Sequence, residues 1–156
     1  DISTNISYSQ NKNIDYKTNF DGQVMNWGDT DISFSPNIVS SIGIIFSPTK
    51  DLNFSLLNKF VGDQFMSNTE SIVSKLDSYS TTDLNFVYNF KKSKYFKEVI
   101  FTVMINNILN KEYVSNGYYY TYDDTWSNPN VVSTIEGTGY YPQAKRNFLI
   151  GFTFKL

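Results

Sequence analysis

The last ten residues, Asn147-Phe-Leu-Ile-Gly-Phe-Thr-Phe-Lys-Leu156, carry an apolar side chain at every second position. Phe148, Ile150, Phe152, Phe154 and Leu156 fall on one side of an extended chain, with Asn147, Leu149, Gly151, Thr153 and Lys155 on the other. Period two puts alternate residues on opposite faces of a strand, whereas a helix would scatter them around its axis. Five further stretches repeat the pattern. Leu84, Phe86, Tyr88 and Phe90 oppose Asp83, Asn85, Val87 and Asn89. Val99, Phe101, Val103 and Ile105 form another row, its second face mixed by Ile100 and Met104. Ile38, Ile42, Ile44 and Phe46 form a row interrupted by Ser40, and Leu52, Phe54, Leu56 and Phe60 one interrupted by Asn58. Ile2, Ile6 and Tyr8 give a weaker sixth. No segment has convincing helical periodicity, so the chain is expected to be all-β, with about six antiparallel strands in a meander.

The connections alternate in length. Residues 47–51 and 91–98 are short turns, whereas 10–36, 65–78 and 110–139 are long. A bacterial outer-membrane barrel does this, with tight periplasmic turns and long extracellular loops. A soluble sandwich has no reason to keep its long loops at one end. Charge is sorted the same way: Lys59, Asp63, Asp83 and Lys155 have the parity opposite to the apolar row. Lys or Arg facing lipid at mid-bilayer would cost about 2–4 kcal/mol. Arg146 shares parity with Phe148, but at a strand end, where the cost falls away and the side chain can snorkel. Tyr140 and Tyr141 at one end, and Phe90, Tyr95 and Phe96 at the other, are placed as interfacial aromatic girdles.

Composition narrows the function classes. Aromatics are 17% of the 156 residues, with 12 Tyr and 13 Phe, and alanine is almost absent. Such residues suit a pleated surface. Charged residues are 18% of the chain with a formal net charge of -2, which argues against a nucleic-acid partner. With no Cys and no His, thiolate metal sites are excluded and the usual general base is missing. No nucleophile–base pair, phosphate loop or glycosidase dyad is evident, so no enzyme activity and no cofactor are expected. The opening Asp1-Ile-Ser-Thr-Asn5 has neither a basic region nor an apolar run. These residues are therefore expected to be a fragment of a longer exported chain.

Several motifs carry a resemblance. Asp31-Ile-Ser-Phe-Ser-Pro-Asn37 precedes a strand and a Ser47-Pro48 turn, and Leu56-Leu-Asn-Lys-Phe-Val-Gly62 follows. Then come Asn106-Asn-Ile-Leu-Asn-Lys-Glu-Tyr113, Ser115-Asn-Gly-Tyr118, Tyr140-Tyr-Pro-Gln-Ala144 and Arg146-Asn-Phe148. In this order the chain resembles the C-terminal portion of TonB-dependent outer-membrane receptors, particularly those of Bacteroidetes. The resemblance covers residues 1–156, and the Asn106–Tyr113 stretch is its most specific part. The alternating end, Phe148 to Leu156, resembles the signal read by the outer-membrane assembly machinery, with Leu in place of the usual Phe. The family implies a barrel of about 22 strands with a plugged lumen, of which this would be the last part. The plug and the TonB box are not among these residues. The implied partners are the rest of the barrel and its plug, TonB–ExbB–ExbD through the missing N-terminal part, the barrel assembly machinery, and outer-membrane lipid and lipopolysaccharide. The implied activity is import of a scarce nutrient, with an iron–siderophore or similar chelate weakly preferred.

Tyr118, Tyr119, Tyr120, Tyr122 and Trp126 cluster in the 110–139 connection, and of these Tyr118, Tyr120, Tyr122 and Trp126 are the candidate ligand-binding residues, since rigid aromatics with polar tips stack on siderophores, sugars or corrins. Against this, Tyr-rich rims are a general feature of barrels, where such side chains simply pack on neighbouring loops. Asp123-Asp124 and Asp29-Thr-Asp31 lack calcium-loop spacing, so no metal site is expected. Asn26-Trp27-Gly28 reads as a loop tip, and Lys91-Lys92-Ser-Lys94 as a periplasmic turn. Two other architectures fit the pattern. A secreted β-sandwich that binds carbohydrate would bury the apolar row against a second sheet. A small complete barrel of about eight strands would need strands hidden in the long loops, with residues 117–122 the only plausible one.

Overall fold

The computed structural model describes residues 1–20, 23–91, 95–128 and 131–156, with the side chains of Phe20 and Lys91 left aside. It is all-β and antiparallel, and the six expected strands form one sheet. These are β1 (Ile2–Tyr8), β4 (Ile38–Thr49), β5 (Leu52–Val61), β8 (Tyr79–Lys91), β9 (Glu98–Asn106) and β12 (Asn147–Lys155), in the order β1-β4-β5-β8-β9-β12. Every neighbour in the sheet is the next of the six along the chain. The sheet is not closed, and β1 and β12 are its edges.

The long connections are not loops. They hold six further strands that pair only among themselves: β2 (Lys12–Phe20) with β3 (Gln23–Asp31), β6 (Gln64–Phe65) with β7 (Lys75–Leu76), and β10 (Val114–Asp124) with β11 (Ser133–Pro142). Residues 117–122 do lie in a strand, but the other five excursion strands are additional to the expectation. None of them joins the main sheet, so they do not complete a small barrel. All three excursions leave the same end of the sheet, while the β4–β5 and β8–β9 connections lie at the other. Lys92, Ser93 and Lys94 of the basic turn lie outside the described residues.

Register fixes what each face carries, because directly paired residues share a face. Ile44, Leu56, Leu84, Ile105 and Phe148 are paired across β4, β5, β8, β9 and β12; Phe46, Phe54, Phe86, Val103 and Ile150 form the next row. Leu52, Tyr88, Phe101 and Phe152 make a third, and Phe90, Val99 and Phe154 a fourth. Phenylalanine rings run across this face in contact, with centroids 5.2 Å apart for Phe54–Phe86, 5.9 Å for Phe86–Phe101 and 4.9 Å for Phe101–Phe152. Such pairs add about 0.5–1.5 kcal/mol each beyond the area they bury. Above these rows the face turns polar at Ser40, Asn58, Ser80 and Thr82. Asn58 there donates to Ser80 Oγ at 3.0 Å, the Thr81 carbonyl at 3.1 Å and Thr82 Oγ1 at 2.8 Å.

The opposite face pairs Asn5–Ser41–Lys59–Thr81, Asn53–Val87–Thr102–Gly151 and Glu98–Lys155. Lys59, Asp83 and Lys155 are all on it, and Lys155 Nζ lies 2.5 Å from Glu98 Oε2. Asp63 lies beyond β5 and pairs with Lys75. Arg146 precedes β12, where its guanidinium donates to the Ile108 carbonyl at 3.4 Å.

Among the described residues nothing packs on the apolar face. Phe46 is 62% exposed, Ile150 68% and Phe152 59%. Among the described residues no second sheet packs on either face, so the sandwich arrangement is not what this sequence forms. Among the described residues the buried apolar side chains are Val61, Met66 and Leu76, all at the excursion end. A soluble domain of this size would bury most of its apolar rows instead.

Candidate functional site

The excursions are tied to one another and to the sheet by polar contacts. The Asn106–Tyr113 motif forms the tightest tie. Asn107 is buried and left-handed, at φ 51°. Its backbone N–H donates to Asp83 Oδ1 at 2.8 Å, its amide donates to the Lys111 carbonyl at 2.8 Å and to that of Ala144 at 3.3 Å, and its Oδ1 accepts from Lys111 N–H at 2.9 Å. Asn110, also left-handed, accepts from Arg146 N–H at 3.1 Å, and Asn106 donates to Asn147 Oδ1 at 2.9 Å. One short motif thus fastens β8, β9 and the start of β12, and sets the base of the β10–β11 hairpin.

The middle excursion bridges the other two. Asn68 Oδ1 accepts from Ser33 N–H at 2.7 Å, the Phe65 carbonyl from Phe34 N–H at 2.8 Å, and Glu70 from Asp31 N–H. On its other side Ser71 Oγ donates to Glu136 Oε2 at 3.1 Å. Glu136 also accepts from Tyr119 OH at 2.6 Å. The Tyr119 hydroxyl is held above the usual tyrosine range, first by burial and then by this carboxylate.

The candidate aromatic residues form a single row. Tyr118, Tyr120 and Tyr122 lie on one face of β10, with centroids 6.2 and 6.4 Å apart and ring planes within 24° and 15°. Trp126 continues the row at 6.3 Å from Tyr122, only 7° from parallel. Asp124 holds the turn that places it, accepting from Trp126 N–H at 3.1 Å and Ser127 N–H at 3.0 Å. Opposite Tyr118 and Tyr120 in the hairpin stand Gly139 and Gly137. A Cβ there would come 2.3 Å from Tyr118 Cζ and 2.4 Å from Tyr120 Cζ, so each ring lies across a glycine. The row is therefore both an exposed aromatic surface and the cover for two bare stretches of backbone. The remainder of this loop at Pro129 and Asn130 lies outside the described residues.

The other face of the same hairpin behaves differently. Tyr119, Thr121 and Asp123 share it with Glu136, and together with Met25 and Trp27 of β3 they border a cleft of about 610 Å³ between the first and third excursions, which Thr69 of the middle one also lines. Trp27 is a strand residue here rather than a loop tip, with Gly28 beside it at φ 73°. Its indole N–H donates to Thr18 Oγ1 at 2.9 Å, which fixes the ring. Asp123 accepts from Thr134 Oγ1 at 2.7 Å. Sequence reasoning had the tyrosines as one cluster; strand parity divides them, placing Tyr119 in the cleft and its even-numbered neighbours on the outer surface. The signal that could have found this was the period of two within Tyr118–Tyr122.

The acidic pairs serve local structure. Asp29 accepts from Asp15 N–H at 3.0 Å, and Asp31 lies 3.2 Å from Lys12 Nζ. A second cleft of about 440 Å³ lies at the base of the third excursion, where Tyr79 and Tyr113 stack with centroids 4.5 Å apart. What this end of the molecule offers chemically is recognition: stacking surfaces, hydroxyls, amides and carboxylates. Comparison with protein-family models, with curated proteins and with solved structures finds no match to this chain.

Proposed function

We propose that this chain is barrel wall and extracellular rim of a TonB-dependent outer-membrane transporter, the last part of a barrel of about 22 strands. The observation that carries the proposal is the continuous apolar face, four rows deep, that no element among the described residues covers. Lipid is the solvent that such a face fits, and a closed barrel is the way a sheet satisfies its backbone there. Five of the six sheet strands run 9 to 13 residues, which matches the roughly 9–11 residues that a tilted strand needs to cross a bilayer. Long excursions at one end and tight turns at the other support the same orientation.

On this assignment the apolar rows face lipid, the polar face lines the lumen against the plug, and the excursions form the outer vestibule. The open edges at β1 and β12 are where the remaining strands of the barrel pair. The whole transporter takes up a scarce nutrient when TonB, energised by ExbB–ExbD, acts on the plug. The test is fractionation of cells expressing the full-length protein, with heat-modifiability on gels and nutrient uptake with and without TonB. An outer-membrane, heat-modifiable protein whose uptake depends on TonB is expected. A protein recovered in the soluble fraction without detergent would overturn the assignment.

A further inference from the structure

The three excursions carry charge of one sign. Residues 18–37, 62–74 and 112–144 contain nine Asp and Glu side chains and no Lys or Arg. Lys17, Lys75 and Lys145, which flank these stretches, are already paired with Asp15, Asp63 and Glu112. A surface so biased raises the local concentration of cations and slows the approach of anions.

The cleft between the first and third excursions sets this bias against apolar surface. Asp123 and Glu136 line it from the β10–β11 hairpin, Met25 and Trp27 from β3, and Val132 adds a further apolar group. Both carboxylates are held in place: Glu136 accepts from Tyr119 OH and Ser71 Oγ, and Asp123 from Thr134 Oγ1. Each keeps lone pairs for further N–H donors. The Trp27 ring is fixed by its bond to Thr18.

Several ligand classes fit this lining poorly. An anion meets two like charges without a counter-charge. A neutral ligand leaves both charges uncompensated. A bare metal ion wants several oxygens converging on one point. Glu136 is paired with Thr121 and Asp123 with Thr134, so the two carboxylates stand diagonally across the hairpin. Among the described residues no group of three acidic, His or Cys side chains could hold a metal. A small hydrated cation leaves Trp27, Met25 and Val132 unused.

We infer that this cleft binds an organic cation, an ammonium or amidinium group carried on an apolar body. Its N–H groups donate to Asp123 and Glu136. Its body lies against Met25 and Val132, and the Trp27 face attracts the positive charge. The cleft's roughly 610 Å³ is within the range of small-ligand sites.

The experiment is saturation-transfer NMR of the full-length protein in a non-ionic detergent. The probes are benzamidinium and phenylethylammonium, with benzamide and phenylethanol as neutral counterparts and benzoate as the anion. At least one of the two cations is expected to bind, less tightly as salt rises, and benzoate to show no transfer. The neutral counterpart of a bound cation should bind at least about tenfold more weakly. Glu136→Gln, which keeps an acceptor for Tyr119, and Trp27→Ala should each weaken cation binding about tenfold. Asp124→Asn removes the same charge from the other face of the hairpin, where solvent screens it, and should change binding by less than about twofold. The inference is overturned if neither cation binds, if a neutral counterpart or benzoate binds as tightly, or if Trp27→Ala leaves binding intact. It is equally overturned if Asp124→Asn weakens binding as much as Glu136→Gln, which would assign the effect to the field of the whole rim. The inference requires the excursions and not the bilayer. A soluble protein that binds benzamidinium in this cleft fails the transport proposal alone, and an outer-membrane protein with TonB-dependent uptake that binds neither cation fails the inference alone.

Discussion

Asn107 shows how much one side chain can hold. It occupies a left-handed conformation that asparagine tolerates better than most residues, and its amide satisfies two carbonyls and one N–H in a buried corner. Asn107→Ala keeps neither advantage and leaves those groups without partners, so a loss of about 2–4 kcal/mol is expected. Asn107→Gly should recover about 1 kcal/mol of that loss, because only the backbone strain is relieved. Urea unfolding of the full-length protein from lipid measures both, and equal losses would show that the conformation contributes nothing. The glycines of the third hairpin differ among themselves for a similar reason. A Cβ at Gly117 would lie 2.5 Å from the Gly139 carbonyl and 2.7 Å from the buried Met66 sulfur, whereas one at Gly139 has the far end of the Tyr118 side chain as its nearest neighbour. Gly117→Ala should therefore cost about 1–3 kcal/mol. Gly139→Ala should cost less and mainly swing the Tyr118 ring. Limited proteolysis of the third excursion should cut the Gly117→Ala variant faster, and the reverse order would contradict the packing described.

At the scale of elements, the two-stranded β6–β7 piece is held by little backbone pairing and by the Lys75–Asp63 ion pair at 2.7 Å. The hydrogen bond from Lys75 holds the Asp63 carboxyl below its ordinary range, against the opposing effect of burial. A carboxylate with a lowered folded-state pKa contributes stability above its unfolded pKa and loses it as pH falls through the folded one. The contribution is small because solvent screens both groups. Amide exchange at Gln64, Phe65 and Leu76, corrected for intrinsic rates, should rise as pH drops below about 4, and Lys75→Met should remove that step. A step that survives in Lys75→Met would assign it to another carboxylate. Element by element, the legible part of the fold was the part with one apolar face. Phe148 to Phe154 and Leu84 to Phe90 announce strands because lipid or core would select alternate positions. Lys12–Phe20 has no such face, and register shifts around Tyr16 break its parity further. In Val114–Asp124 tyrosines occupy both faces, so period two was hidden by uniform chemistry. The candidate site suffered most from this, since Tyr119 was read with its neighbours and Trp27 as a loop tip.

The whole molecule is an asymmetric sheet, and its asymmetry is what the membrane proposal stands on. Phe86 and Val87 are neighbours on β8, the fourth of six strands in the sheet, yet they point opposite ways. Phe86 is paired with Phe54 and Val103 in the apolar rows, and Val87 with Asn53 and Thr102 on the polar face. Lysine at either position adds the same charge and leaves the same backbone pairs intact, with a modest loss of volume at Phe86 and a modest gain at Val87. If Phe86 faces lipid near mid-bilayer, Phe86→Lys costs about 2–4 kcal/mol, whereas Val87→Lys faces a wet lumen and costs about 1 kcal/mol or less. In water without lipid the ordering would not persist, because an uncovered apolar face in solvent gains by accepting a charge. Unfolding of the two full-length variants from lipid vesicles, scored by heat-modifiability, separates these cases. A Phe86→Lys protein that inserts and unfolds like the parent would remove lipid as the partner of this face. The cover for those four rows would then have to be sought in protein.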